Sequence, residues 1–313
     1  MMPMTKKNLW LMKLSMGLIG MALVATACMR VGIRHEPLAG EDDIVFQIWD
    51  GGSAKDNNIA VMRSDGTGVR TIYPETRMIL PIWSADKTDV LFMMPWSMYS
   101  YFGAYGKVQS YQQGEECSII INNRPRWYAS DKLLSTQTDF IDGVQTSNNI
   151  FIYDLNSCKI SKVLILDKAE NGYFAEPEYS SLGELVFTRQ TTKNWIVTVL
   201  ELTSGQQREI AEGFGASWSP DGEQLVFTGD DGLYLADRLG EHVNRIVDMT
   251  SSLVQDEKFI NWGDWPPLAD WSPDGKHLIF HRRQGERYDI VVYDVEAGSE
   301  TVIYQGGMYP DWR

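Results

Sequence analysis

Four histidines are all the imidazoles that the 313 residues offer: His35, His242, His277 and His281. His277 and His281 lie four apart in a strand-like stretch. An extended chain rises about 3.3 Å per residue, so their rings share a face but stand about 13 Å apart. One metal ion cannot reach both. Asp50-Gly51-Gly52-Ser53-Ala54-Lys55-Asp56 has the acids and glycines of a calcium loop, yet Lys55 stands inside it and no bidentate glutamate closes it. There is no Gly-x-Ser-x-Gly elbow to raise a serine nucleophile and no glycine loop to cradle a phosphate. Asp86, Asp221 and Asp274 recur before short apolar runs; there a carboxylate bonds the backbone two residues on and holds a turn. The expectation is no metal, no cofactor and no catalytic residue.

Aromatic side chains offer more. Pro95 to Glu116 carries Trp96, Tyr99, Tyr101, Phe102, Tyr105 and Tyr111, and Ser251 to Pro267 carries Phe259, Trp262 and Trp265. Tyrosine and tryptophan present large rigid faces with a polar tip, which suits them to anchor a protein partner or to stack on a sugar ring. The same residues can equally pack on one another to order two long loops.

The elements that must carry these segments are short strands. Trp218-Ser219-Pro220-Asp221-Gly222 precedes Gln224-Leu225-Val226-Phe227, and Trp271-Ser272-Pro273-Asp274-Gly275 precedes His277-Leu278-Ile279-Phe280. Trp83-Ser84-Ala85-Asp86-Lys87 and Tyr179-Ser180-Ser181-Leu182-Gly183 are weaker copies. Each reads as strand, tight turn, strand: Pro fits the second place of a type I turn and Gly accepts positive φ. Aligned on Trp83, Trp127, Tyr179, Trp218, Trp271 and Trp312, the repeats are spaced by 44, 52, 39, 53 and 41 residues. Periods of that size with four short strands each mark a β-propeller.

The two ends complement each other. Asp43-Ile44-Val45-Phe46 matches the second strand of a repeat, and Tyr309-Pro310-Asp311-Trp312 matches a first strand. The last segment is expected to complete the first blade, which leaves no open seam. The expected fold is all-β: a six-bladed propeller of four-stranded blades over residues 43–313, closed by the C-terminal strand. If Trp127 belongs to an insertion, the count falls to five. With blade strands named A to D, the A–B and C–D turns share one end and the B–C and D–A links the other. Pro95 to Glu116 is expected between B and C, and Ser251 to Pro267 between D and A. Both would then project from one face, opposite the Trp-Ser-Pro-Asp-Gly turns. Long loops on a rigid scaffold are where binding concentrates, so Trp96, Tyr99, Tyr101, Phe102, Tyr105, Tyr111, Trp262 and Trp265 are the candidate binding residues.

The Trp-Ser-Pro-Asp-Gly copies at Trp218 and Trp271, with the hairpin Met62-Arg63-Ser64-Asp65-Gly66-Thr67-Gly68, resemble the TolB-type β-propeller family. The resemblance covers residues 43–313 and implies the propeller fold, which is reused for many functions. In the periplasmic protein that names the family a separate α/β domain precedes the propeller; here that domain is expected to be missing. Some propeller lyases are similar in repeat and use several histidine ligands, for which four histidines are few.

Lys6, Lys7 and Lys13 precede Leu14 to Ala27, an uncharged and mostly apolar run of the length of a signal-peptide core rather than a membrane span. Ala25-Thr26-Ala27-Cys28 resembles a bacterial lipobox, departing from it at Ala25, where Leu is usual. Residues 1–27 are expected to be a signal peptide, Cys28 the lipidated first residue and 28–42 a tether; plain secretion and an uncleaved anchor are the alternatives. The site is then the bacterial cell envelope, reached by a lipid anchor only, or else the soluble periplasm or the exterior. Cys117 and Cys158 remain, and an oxidising compartment favours a disulfide between them over two buried thiols. The net charge of −14 argues against nucleic acid, which needs cationic surface. The expected function is a non-catalytic, monomeric module that binds an envelope protein or a glycan. A carbohydrate-active enzyme and a structural part of an envelope assembly are the alternatives.

Overall fold

The computed structural model describes residues 38–49, 57–76, 79–97, 105–110, 114–141, 144–164, 174–191, 193–250, 267–285 and 287–313; for 57, 74–76, 79, 93–97, 105–110, 114–123, 137–141, 144–148, 162–164 and 174 the description is of the backbone alone. These residues form antiparallel strands, numbered in chain order. The first sheet joins β1 (Ile44–Ile48), β2 (Asn57–Met62) and β3 (Arg70–Thr76) to the last strand, β23 (Gly307–Trp312), in the order β23-β1-β2-β3. Next come β4 (Ile79–Trp83), β5 (Val90–Ser97), β6 (Tyr105–Ser110), β7 (Gly114–Ala129), β8 (Lys132–Ile141), β9 (Val144–Asp154) and β10 (Lys159–Leu164), paired sequentially into one seven-stranded sheet. Three four-stranded sheets follow. They are β11 (Phe174–Tyr179), β12 (Glu184–Gln190), β13 (Trp195–Glu201) and β14 (Gln207–Glu212); β15 (Phe214–Trp218), β16 (Gln224–Thr228), β17 (Gly232–Asp237) and β18 (Val243–Asp248); and β19 (Asp270–Trp271), β20 (His277–Gln284), β21 (Arg287–Asp294) and β22 (Ser299–Gln305).

The fold is an all-β propeller of four-stranded blades, and the closure has the expected form. Ile44 pairs with Trp312 and Val45 with Asp311, so β23 supplies the strand that the first sheet lacks. The expectation of six blades is corrected: the described residues form five sheets, as in the alternative. The physical reason is β7, which runs unbroken through 16 residues. Its first half pairs with β6, from Ser110 opposite Gly114 to Gly106 opposite Ile121. Its second half pairs with β8, from Asn122 opposite Thr136 to Ala129 opposite Lys132. The sheet then packs on itself: Ile82 and Leu91 of one end meet Leu133, Phe151 and Tyr153 of the other.

Neighbouring sheets interlock in the same way around the ring. Val186, Val197 and Val199 pack on Trp218, Leu225 and Phe227, and Ile44 and Phe46 of the first sheet meet Ile279 and Ile290 of the last. The Phe that ends each second-strand motif is fully or nearly fully buried at Phe46, Phe92, Phe187, Phe227 and Phe280. Each such burial contributes roughly 2–3 kcal/mol. Trp83, Trp218 and Trp271 are buried between sheets, as their place in the repeat implies. Three indoles also reach back one repeat: Trp83 Nε1 donates to Asp43 O, Trp127 Nε1 to Trp83 O and Trp271 Nε1 to Ser217 O, at 3.1, 2.8 and 3.2 Å.

The recurring aspartates hold turns. Asp221 Oδ1 accepts from Ser219 Oγ at 2.6 Å and from Glu223 N at 3.0 Å, and Ser219 Oγ accepts from Gln224 N. Asp274 and Asp86 repeat the arrangement. Gly222 takes φ 79° to let the turn close. In the weaker copy Lys87 stands at that place with φ 60°.

Candidate functional site

One strand of each sheet's inner edge, and β7 from the middle of the seven-stranded sheet, meet around the centre: β4 with β23, β7 with β11, β11 with β15, β15 with β19 and β19 with β23. All but β7 end on a repeat aromatic, and β7 carries its own, Trp127, two residues before its end. The residues just before the repeat aromatics are Ile82, Arg126, Glu178, Ser217, Asp270 and Asp311; Ile82 packs in the apolar cluster with Leu91 and Leu133, and the polar side chains of the others form one network. Arg126 Nη1 lies 2.6 Å from Asp270 Oδ1, and its Nε lies 3.3 Å from Glu178 Oε2. Glu178 Oε1 accepts from Trp218 N at 2.9 Å and Ser217 Oγ at 3.2 Å. Asp311 Oδ2 accepts from Trp83 N at 2.8 Å.

A second layer lies three residues before the aromatic. There Arg124, with no exposed surface, donates from Nη1 to Asp270 Oδ2 at 2.6 Å and from Nη2 to Asp311 Oδ1 at 2.7 Å and Pro310 O at 3.0 Å. A buried guanidinium persists only with such partners. At the same level Leu80, Glu176, Gly215 and Tyr309 all have positive φ, of 54°, 46°, 63° and 49°. The strand register shifts at each of these places. Three of the four are not glycine, which marks local backbone strain of the sort that concentrates at functional sites.

The network holds four carboxylates against two arginines, and burial decides their titration. Burial pushes Glu176 up to about 7 against the pull of Arg126 and Arg124. Burial likewise pushes Asp311 up to about 6 and raises Glu178. Burial works on Asp270 in the same direction, but Arg124 and Arg126 together hold it below the usual carboxylate range. His281 is a different case. Burial drives it down to about 3, with Arg124 adding to the effect, so the ring is neutral. Its Nδ1 accepts the N–H of Tyr309 at 3.4 Å, and Tyr288 and Tyr309 flank it edge-on. It ties two sheets together, just as Thr188 Oγ1 does by accepting from Gly215 N at 3.0 Å.

A cleft of about 320 Å3 opens over this network, walled by Trp218, Pro220, Trp271 and Pro273 as well as the charged groups. It lies at the end of the Trp-Ser-Pro-Asp-Gly turns, opposite the end chosen from the sequence. Of the sequence candidates, Trp96 falls in β5 and Tyr105 opens β6. The side chains of Trp96, Tyr99, Tyr101, Phe102, Tyr105, Tyr111, Trp262 and Trp265 lie outside the described residues. One expectation is corrected: Pro95 to Glu116 is not a single loop between B and C. Most of it is strand, β5 reaching Ser97, β6 running to Ser110 and β7 starting at Gly114. Cys158 lies in the β9–β10 turn with φ 53°, while the side chain of Cys117 lies outside the described residues. The charged column was not among the sequence candidates, which were aromatic; its residues Arg126, Glu178, Asp270 and Asp311 each stand next to a repeat aromatic.

No family model matches the sequence, and no curated protein does. The chain is similar to TolB from Acinetobacter baumannii, with a TM-score of 0.63 at 14% identity over 88% of this chain and 68% of that one. The fold is a TolB-like propeller. It is also similar to a chain of a nidogen/laminin complex (0.58, 10% identity, 86% and 97%) and to an oligogalacturonate lyase in complex with manganese (0.50, 12% identity, 80% and 71%). At such identities this chain shares a fold with each of them and nothing finer.

Proposed function

We propose that this TolB-like propeller is a non-catalytic binding module of the bacterial cell envelope that presents one face to a protein or glycan partner. The observation that carries this reading is the channel mouth, where Arg124 and Arg126 engage Asp270, Asp311 and Glu178 as ion-pair partners. The charged groups are used to join inner strands rather than standing free beside a substrate. Likeness in fold to TolB and to a chain of the nidogen/laminin complex supports it. Trp96, Tyr99, Tyr101, Phe102, Tyr105, Tyr111, Trp262 and Trp265 are its proposed contact residues. A signal peptide at 1–27, lipidation at Cys28, a tether at 28–42, a Cys117–Cys158 bridge and a monomeric state belong to the same reading.

The test is a pull-down from envelope extract, wild type against the quadruple Ala variant at Trp96, Tyr101, Trp262 and Trp265. Identical partner lists would overturn the aromatic face. Mass spectrometry of the mature N-terminus and a non-reducing peptide map check Cys28 and the bridge; an unmodified Cys28 or two unlinked cysteines would end those two claims.

One observation favours a second reading, a carbohydrate-active enzyme: Glu176 is a buried carboxyl near neutrality beside further carboxylates, the setting of a general acid or base. Among the described residues of the channel, no group of His, Asp and Glu brings three ligand atoms together. His281 is enclosed by Tyr288 and Tyr309. Among the described residues, the His/Asp/Glu group whose ligand atoms converge is Asp237, Glu241 and His242, on the β17–β18 turn. Release of new reducing ends from oligogalacturonate by wild type but not by Glu176→Gln would favour the enzyme.

A further inference from the structure

The chain enters the propeller at the tight-turn end and is fastened there from three sides. Asp43 N donates to Met62 O at 3.0 Å, where β2 ends and its hairpin to β3 begins. Asp43 Oδ2 accepts from Ser64 N at 2.9 Å, and Glu41 and Asp42 pair with Arg63 and Arg70 on either side of the same hairpin. Arg313 holds the second side. Its N donates to Asp43 O at 3.0 Å, its Nη2 to Ala39 O at 2.7 Å and its Nη1 to Lys87 O at 2.6 Å. The guanidinium lies over the Trp83 ring, 4.3 Å from its centroid, a cation–π contact. On the third side Leu38 packs on the cluster of Val45, Trp83 and Phe92 between the first two sheets. Residues 38–43 are therefore part of the propeller body, and Leu38 is the fixed point at which the preceding chain joins it.

That point is on the face of the Trp-Ser-Pro-Asp-Gly turns. Lys87 belongs to the corresponding turn between β4 and β5 and lines the cleft over the channel mouth. The link from β18 to β19 is at the opposite end, because β17 runs toward the tight turn at Asp237 and β18 runs back from it. Chain length then limits what an anchor at Cys28 allows. The ten steps from Cys28 to Leu38 span at most about 36 Å. Strands of the first sheet have five to seven residues, a height of about 17–23 Å. For the opposite face to lie on the bilayer, the connecting chain would have to run straight along the whole height of the sheet. Only about 13–19 Å would then be left to clear the loops at that end. With the tight-turn face toward the bilayer no such extension is needed, and the entropy of the connecting chain favours that arrangement.

We infer that the anchored propeller turns its tight-turn face, with the channel mouth, toward the bilayer and presents the opposite face, where Ser251 to Pro267 joins β18 to β19, to its partner. This rests on the binding-module reading with Cys28 as the lipid-bearing residue, and it adds which face the partner meets. The partner approaches from the side away from the anchoring membrane.

The test places a fluorescent amino acid at Lys276, in the tight turn after Trp271, or at Lys193, in the β12–β13 turn at the opposite end; both positions are exposed. The full-length protein is extracted from the membranes of expressing cells and reconstituted into phosphatidylcholine vesicles that carry an acceptor dye on a lipid headgroup. Energy transfer from Lys276 is expected to exceed that from Lys193 about twofold or more, the two standing a sheet height apart. A Gly-Ser insertion of roughly twenty residues after Gly32 lengthens the connection well beyond that height and should bring the two probes to equality. Equal transfer without the insertion, or greater transfer from Lys193, would overturn the orientation alone, since the pull-down judges the binding module. An excess at Lys276 that survives the insertion would overturn the connecting chain as its cause. Loss of the protein from the vesicles would overturn the anchor at Cys28 and this inference with it.

Discussion

Nη2 of Arg124 lies 2.7 Å from Oδ1 of Asp311, across 187 residues of sequence. Arg124 belongs to β7 and Asp311 to β23, the strand that closes the first sheet. The other oxygen of Asp311 accepts the N–H of Trp83 in β4. The closing strand is thus held by its ladder to β1 and, separately, by a buried carboxylate shared between two further inner strands.

Replacing Arg124 should be severe. Arg124→Met leaves Asp270 and Asp311 buried beside one arginine fewer, and breaking a buried pair from one side costs about 3–5 kcal/mol. Arg124→Lys should recover only part of this, because a single ammonium cannot span two carboxylates as a planar fork does. Urea denaturation followed by tryptophan fluorescence measures both.

The pH dependence of stability contains opposed contributions that one substitution separates. Glu176 titrates near 4.5 when unfolded and at about 7 when folded. The folded state keeps a proton that the unfolded chain has lost, so this contribution falls as pH rises through that window. Asp311, raised from 3.8 to about 6, has the same sign. His281, lowered from 6.5 to about 3, has the opposite sign, its stability being lost as pH falls. Glu176→Gln stays neutral throughout. It should match wild type near pH 4.5 and exceed it by about 2–3 kcal/mol at pH 8. Thermal unfolding at the two pH values tests this; a pH-independent difference would count against it.

Deleting Gly307–Arg313 should remove more than one ladder. β1 would become an open edge, a template for pairing with other chains, and Arg124 would lose Asp311. The expected outcome is loss of cooperative thermal unfolding, seen by circular dichroism, together with higher-order species in size-exclusion chromatography.

The repeat tryptophans should not be equivalent. Trp271 Nε1 donates to Ser217 O, whereas the buried Nε1 of Trp218 has no partner. Trp271→Phe therefore loses a hydrogen bond and strands a carbonyl, and should cost about 1–2 kcal/mol more than Trp218→Phe, which removes an unsatisfied donor. Parallel denaturant titrations of the two variants decide this.

Closure of the ring was legible because Ile44 and Trp312 each open or end half a repeat, and the halves match only one another. The turn aspartates were legible because their bonds are local, to residues two apart. Separate blades were not. Trp127 aligned as the start of a separate repeat, yet the strand that carries it runs unbroken from Gly114 to Ala129, its two halves having different partners. The segment after Pro95 read as a loop because its aromatics and glycines mask strands that only pairing with β5 reveals. The channel network was the least legible: Arg124 meets Asp270 and Asp311 across 146 and 187 residues, and nothing local to any of them announces an ion pair.

The left-handed kink that recurs at Leu80, Glu176, Gly215 and Tyr309 carries one more consequence. The bend is made by the main chain, at the same rung, whether the side chain there is aliphatic, acidic, absent or aromatic. The bend is therefore a property of the peptide at that rung, shared by strands whose side chains there have nothing else in common. The rung is not open to every residue, however: at Gly215 a Cβ would meet Leu268 Cδ2 at 2.3 Å, so there the bend and the neighbouring sheet together demand glycine.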